Sequence, residues 1–268
     1  MTLSTACQSP STQIVEQKLR TNIVGDPATL DPRRGGDSIS SAIQFILFEG
    51  LTRMNVDGST SPAQASSIEV SEDRKTYTFY LRDTQWTNGM PVTAYDFEKA
   101  WKNILDPAFP SLNAHLFYCI ENAEKAKKGL CPLDKVGIKA KNDRTLVVKL
   151  NHPTPYFLQL TAYSAYFPVN HQIAESYPRW ETEASDAFTS NGPFFLESWE
   201  HNREMVVKKN PKYWDAKEVS LAEIQISMIN NGTTALNLYA IGELDLLTTS
   251  ISPLPMDSLA SLYEKKLL

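Results

Sequence analysis

Between Thr76 and Leu105 the hydrophobic pattern changes its period, and this switch constrains the fold more than any other feature of the chain. Residues 76–82 alternate, with Tyr77, Phe79 and Leu81 on one side and Thr78, Tyr80 and Arg82 on the other. That is the pattern of a half-buried strand. Trp86 and the turn pair Asn88-Gly89 follow, and then the spacing lengthens. Phe97, Ala100, Trp101, Ile104 and Leu105 fall on one stripe of a helix, which predicts an amphipathic helix packed on its apolar face. Thr93 is placed to cap it, Asp96 to answer its N-terminal dipole, and Asp106-Pro107 to end it.

The rest of the chain repeats this mixture. Residues 18–24 read as a first strand, ended by Gly25-Asp26-Pro27 and followed by Leu30-Asp31-Pro32 and a polar loop. Ile39, Ile43, Ile46 and Leu47 predict a helix ending near Glu49-Gly50. A hairpin is expected at residues 51–55 with its turn at Asp57-Gly58, and a second helix over 116–128 closed by Gly129. Val136, Ile138 and Ala140, then Leu146, Val148 and Leu150, make two strands. Thr154-Pro155 opens a short helix. Strands at 194–199 and 205–208 form a hairpin, Ile224, Ile226 and Met228 alternate again, 234–241 is helical with Gly242 as its stop, and 244–247 returns as a strand. The fold class is mixed α/β, with hairpins and strand–helix–strand units together. Trp86, Phe97 and Trp101 are expected in the core.

With 268 residues, 42% of them hydrophobic, the chain is long enough for two lobes at about 100–200 residues each. A net charge of −5 with acidic residues scattered through the sequence leaves no footprint for nucleic acid. No window has the apolar length of a membrane span. The N-terminus, Met1 to Cys7, sets Cys7 behind a small residue and ahead of a polar stretch. It resembles the end of a bacterial lipoprotein signal, with Cys7 as the lipidated residue; an incidental cysteine in a leader is the alternative. Cys119 and Cys131 either pair across a short loop or stand as two small hydrophobes.

The stretch from Ala65 through Tyr77-Thr78-Phe79-Tyr80-Leu81-Arg82, Trp86-Thr87-Asn88-Gly89 and Pro91-Val92-Thr93-Ala94-Tyr95-Asp96-Phe97 resembles the signature of the oligopeptide- and dipeptide-binding proteins of ABC importers. These form the large three-domain class of periplasmic-binding-protein-like folds. Further matches keep the family's order: Leu30-Asp31-Pro32, Phe48-Glu49-Gly50-Leu51, Asn191-Gly192-Pro193-Phe194, Asn210-Pro211 with Tyr213-Trp214, and Gly242-Glu243-Leu244-Asp245. The resemblance implies a leader over residues 1–17, a first-lobe core formed by 18–54 and 170–268, and a second subdomain, 55–169, inserted into it. It also implies that the chain stops before the second lobe, as the N-terminal half of a two-jawed clamp.

By the same resemblance the ligand is a short, extended peptide held through its backbone. The partners are the membrane permease subunits of an importer, reached at the periplasm or outer face of a bacterial cell membrane through no membrane contact beyond a lipid anchor. Neither a cofactor nor a metal is implied. The loop after Leu-Asp-Pro gives backbone to the cleft in the family, which maps to Gly36, Asp37 and Ser38, with Gly35 before them. A family member that binds oligopeptides has an acidic side chain near the place of Gly36 and an aromatic one near Asn113; this chain has neither, and Asp37 is the candidate substitute. Thr248 and Thr249 follow a strand end where cleft-facing polar groups are expected. Two other readings stay open: a lobe kept for surface adhesion, and a relative carrying another cargo such as a metal chelate or haem. The four histidines are dispersed, and no Gly-x-Ser-x-Gly, Walker or dinucleotide motif occurs, so no catalytic residue is nominated.

Overall fold

The computed structural model describes residues 17–257 apart from Thr249, Pro253 and Met256. The candidates Cys7 and Thr249 therefore lie outside the described residues. Two four-stranded sheets carry the fold. In the first, the order is β1–β10–β9–β8, with β1 (Lys18–Ile23) parallel to β10 (Glu223–Met228) and the hairpin β8 (Phe194–Glu200) and β9 (Glu204–Lys209) antiparallel beside it. The second runs β4–β5–β7–β6 and is antiparallel throughout: β4 (Ala65–Val70), β5 (Thr76–Leu81), β6 (Ile138–Asn142) and β7 (Thr145–Lys149). A small hairpin, β2 (Thr52–Met54) with β3 (Thr60–Pro62), stands between them in sequence. Helix α1 (Ser38–Leu47) packs on β8, and α2 (Ala94–Ile104) packs on β6 and β7. Among the described residues four shorter α-helices accompany them: α3 (Ala123–Lys127), α4 (Phe157–Leu160), α5 (His171–Ser176) and α6 (Gly232–Ala240).

The period switch is realised as expected. Tyr77, Phe79 and Leu81 all face the core, and Trp86, Phe97 and Trp101 are fully buried. Asp96 holds the turn between strand and helix together. Its carboxylate accepts from the Thr93 backbone N–H at 2.8 Å, from Trp86 Nε1 at 3.3 Å, and from the backbone N–H of His171 at 3.1 Å. One buried carboxylate thus caps α2, fixes the tryptophan before it and receives the first residue of α5. Glu98 ties the other end of the packing together, accepting from the Ala140 N–H at 2.8 Å while paired with Lys102. Trp101 Nε1 donates to the Tyr166 carbonyl, and the Tyr166 ring stacks on Phe117 with centroids 4.0 Å apart.

Two expectations are corrected. The helix expected over 116–128 is instead a single turn at Ala114–Phe117 followed by α3, with Asn122 between them at φ +60°. The sheet breaks it: Ile120 bridges to Leu150, and Glu121 exchanges backbone hydrogen bonds with Lys149 and Gly137, an edge pairing that outweighs local helix propensity. The strand expected at 244–247 is reduced to one parallel bridge, Thr21 to Leu246. There the Asp245 carboxylate takes the Arg20 backbone N–H and guanidinium, and the chain turns away along the outer side of β1. Cys119 and Cys131 are unpaired thiols.

Candidate functional site

The motifs spread along the sequence meet at one junction. Glu49 follows α1 and is 7% exposed. Its carboxylate accepts from Tyr213 Oη at 2.5 Å, Trp214 Nε1 at 2.6 Å and Gln64 Nε2 at 2.9 Å, with Arg53 at 4.0 Å. Its backbone is gripped by Asn191, whose side-chain oxygen accepts the Glu49 N–H and whose amide donates to the Glu49 carbonyl. Gly192 lies against Leu47, and Asn210 donates to the Gly192 carbonyl. Arg53 and Arg82 lie over the Trp214 ring, at 4.8 and 3.9 Å from its centre. Asn191-Gly192, Asn210, Tyr213-Trp214 and Glu49-Gly50 are thereby one frame, joining α1 to β8 and to the start of β4. Its groups are consumed by each other, which gives these motifs a structural role.

Burial raises the Glu49 carboxyl above its ordinary 4.5, while the hydrogen bonds from Tyr213 and Trp214 and the Arg53 charge hold it down only in part. Burial and the neighbouring carboxylate push the Tyr213 phenol up as well. The sign of the consequence for stability follows from linkage. A folded carboxyl titrating above its unfolded value binds more protons than the unfolded chain, so its contribution is complete below about pH 4.3 and is lost as pH rises through the raised value. The unfolding free energy of the protein minus that of Glu49→Gln, measured by urea titration, is expected to fall as pH rises above 4.5. A difference that grows with pH would show hydrogen bonding outweighing burial.

The frame fixes α1, and α1 fixes the loop before it. Asp31 is almost wholly buried and takes the Arg33 guanidinium through two oxygens, at 2.8–3.1 Å. Gln44 on α1 donates to the carbonyls of Thr29 and Asp31, and Ser40 Oγ accepts the Thr29 N–H. Arg33 and Arg34 lie over the Phe109 ring. Leu30-Asp31-Pro32 is thus an internally bonded block. Asp31→Asn, which keeps the shape and removes the charge, is expected to cost about 2 kcal/mol by urea unfolding, the scale of a hydrogen bond to a charged group.

What this block presents is bare backbone. The Gly35 N–H is bonded to Asp31 and its carbonyl accepts from Asn113 Nδ2 at 2.7 Å. Asp37 caps α1, its carboxylate accepting the Ser40 N–H at 2.7 Å and its carbonyl the Ser41 N–H. Between them, the N–H and carbonyl of Gly36 and the N–H of Asp37 have no partner among the described residues. An exposed donor–acceptor pair on one residue is the unit by which a strand edge recruits another strand.

The sequence candidates therefore divide. Gly36, Asp37, Ser38 and Asn113 come together: Asn113 supports the edge from behind, Ser38 opens α1, and the Asp37 carboxylate spends one oxygen on the cap. Thr248 belongs to a separate hydrogen-bonded turn. Its carbonyl accepts from Ser252, its hydroxyl is buried without a partner, and no hydrogen bond joins it to residues 36–38 among the described residues. It lies in the segment that follows β1 in parallel and bonds Val24 through Ile251. Sequence reasoning did not foresee Leu112, whose exposed side chain lies over Gly36: a methyl on Gly36 would come within 2.7 Å of Leu112 Cδ1. Among the described residues no group of histidine, cysteine and carboxylate side chains could hold a metal ion, and no helix is long and apolar enough to cross a membrane.

The chain is similar to known proteins in sequence and in fold. The family model of the bacterial extracellular solute-binding proteins, family 5 (middle part), matches residues 59–267. The oligopeptide-binding protein OppA of Bacillus subtilis is 47% identical over 245 residues, covering 91% of this chain and 45% of that protein. Two solved structures share the fold. The substrate-binding domain of an oligopeptide ABC transporter from Bacillus anthracis has a TM-score of 0.83 at 39% identity, covering 86% of this chain and 45% of that one. Haemophilus influenzae OppA in complex with the peptide RPPGFSPFR has a TM-score of 0.87 at 30% identity, covering 94% and 49%. The chain spans about half the length of these relatives. It belongs to the family 5 bacterial extracellular solute-binding proteins.

Proposed function

We propose that this chain supplies one side of a peptide-binding cleft, and that the protein delivers short peptides to the membrane permease subunits of an ABC-type importer. One observation carries the reading: a rigid, internally bonded loop holds the Gly36 N–H and carbonyl unpaired at the surface. An extended peptide has the same pair on alternate residues, and pairing them satisfies groups that would otherwise be desolvated without a partner. The relatives' names, oligopeptide-binding protein and substrate-binding domain, support the same cargo. Asp37, Ser38, Asn113 and Thr248 line or support the cleft in this reading, Thr249, outside the described residues, is assigned to it by the family resemblance alone, and no residue has a catalytic role. Residues 18–54 and 170–268 form the core of the first lobe and 55–169 its inserted subdomain. The protein works at the periplasm or the outer face of the cell membrane, held there through a lipid on Cys7.

The test is calorimetric titration of the complete gene product with a pool of peptides two to nine residues long, beside mass spectrometry of ligand that co-purifies with it. Micromolar or tighter binding is expected, a range common for ordinary reversible ligands. Co-purified haem or a metal chelate, with no peptide bound in either assay, would overturn the reading.

A further inference from the structure

A peptide lying along the Gly36 edge would send its side chains alternately to two faces. On one of those faces Leu112 covers Gly36, and it is a leucine 75% exposed to solvent. Asn113 continues from it, bonded to the Gly35 carbonyl, and forms the near wall of a trough of about 410 Å³. Leu116, Leu160, Tyr156 and Tyr163 line most of the rest, with His115 and Gln159 as its other polar side chains. Tyr163 leads on to the exposed ring of Phe45 on α1, 6.4 Å away between centroids. An apolar surface thus begins beside the unpaired backbone of Gly36, and no carboxylate, lysine or arginine lines the trough.

We propose that Leu112 and this trough form a side-chain subsite selecting an apolar or aromatic residue in the bound peptide. The inference rests on the peptide reading above and deepens it. A residue on the facing strand has its Cβ about 5 Å from its neighbour across the pair, so its side chain reaches Leu112 first and the Leu116–Tyr163 wall next. A phenylalanine there buries apolar surface against apolar surface. A lysine or aspartate gives up its hydration with no counter-charge in reach. Gly36 is part of the design, because any larger residue there would displace Leu112 from the edge.

The experiment uses the complete gene product and pentapeptides of alanine in which phenylalanine, serine or lysine is placed at each position in turn. One position is expected to favour phenylalanine over serine by about tenfold, the discrimination that a modest apolar pocket gives, and lysine is the weakest there. The exposed Leu112→Ser combined with the half-buried Leu116→Ser, with Leu112→Ser alone as the variant least able to disturb folding, is expected to bring phenylalanine and serine to parity at that position only. Equal binding of all three residues at every position overturns the subsite. So does a phenylalanine preference that survives both variants. If no pentapeptide binds the parent protein, the peptide reading itself fails, and that result is distinct from either of these.

Discussion

Gly192→Ala is expected to destabilise the protein by about 3 kcal/mol or more, near the upper end of what overpacking costs. A methyl group there would lie 2.6 Å from the Leu47 carbonyl carbon and oxygen and 2.7 Å from the Phe48 nitrogen. Each of these is main chain, so no rotamer change relieves the clash. The same two stretches of chain are joined by the Gly192 N–H to the Leu47 carbonyl at 2.9 Å and by the Asn191 side chain to the Glu49 N–H and carbonyl. Relief by separation would therefore break the junction that holds α1. Urea unfolding followed by far-ultraviolet circular dichroism measures the loss. A cost below about 1 kcal/mol would show that α1 shifts freely against the β8 entry, and that the frame is looser than described.

Glu49→Ala is expected to cost about 3–5 kcal/mol, because it takes the shared acceptor from three donors, and each buried donor left unsatisfied costs about 1–3 kcal/mol. Tyr213 Oη, Trp214 Nε1 and Gln64 Nε2 all lose their partner in one step. Arg53 keeps Asp215 at 2.8 Å, so its charge remains matched. For a chain of this size the melting temperature falls by about 10 °C. The emission of Trp214 should shift to longer wavelength as water enters. Loss of stability without a change at Trp214 would place the damage elsewhere in the frame.

The legible parts of the fold were those in which one residue period dominates. Residues 76–82 and 223–228 alternate because each strand has one face on the core, and the stripe from Phe97 to Ile104 reports its own helix. β4 escaped notice because Ser66, Ser67 and Glu69 leave it polar and exposed at a sheet edge. The helix expected at 116–128 shows the reverse error: its local pattern is helical, and the partners that break it, Lys149 and Leu150, are distant in sequence. The family motifs were recognisable one by one, but nothing in their spacing says that Glu49, Asn191 and Trp214 meet.

At the site, the position of the edge was legible through Leu30-Asp31-Pro32, whereas its openness was not. Whether the Gly36 amide is free depends on what Gln44, Ser40 and Asn113 do to the residues around it. The capping role of Asp37 was readable, since an aspartate directly before an apolar helical stripe is a common N-cap. Leu112 gave no sequence signal, because a leucine in a loop between two turns looks like any other.

The most direct test of the account is amide hydrogen exchange, read residue by residue by nuclear magnetic resonance on the complete gene product with and without saturating peptide. The amides of Gly35 and Ser40, bonded within the loop, should be protected in both states. Those of Gly36 and Asp37 should exchange rapidly without peptide, and Gly36 should slow by at least about tenfold when peptide is bound, as a free strand edge becomes a paired one. Fast exchange at Gly36 with peptide fully bound would mean that the ligand is held elsewhere, and would contradict the account.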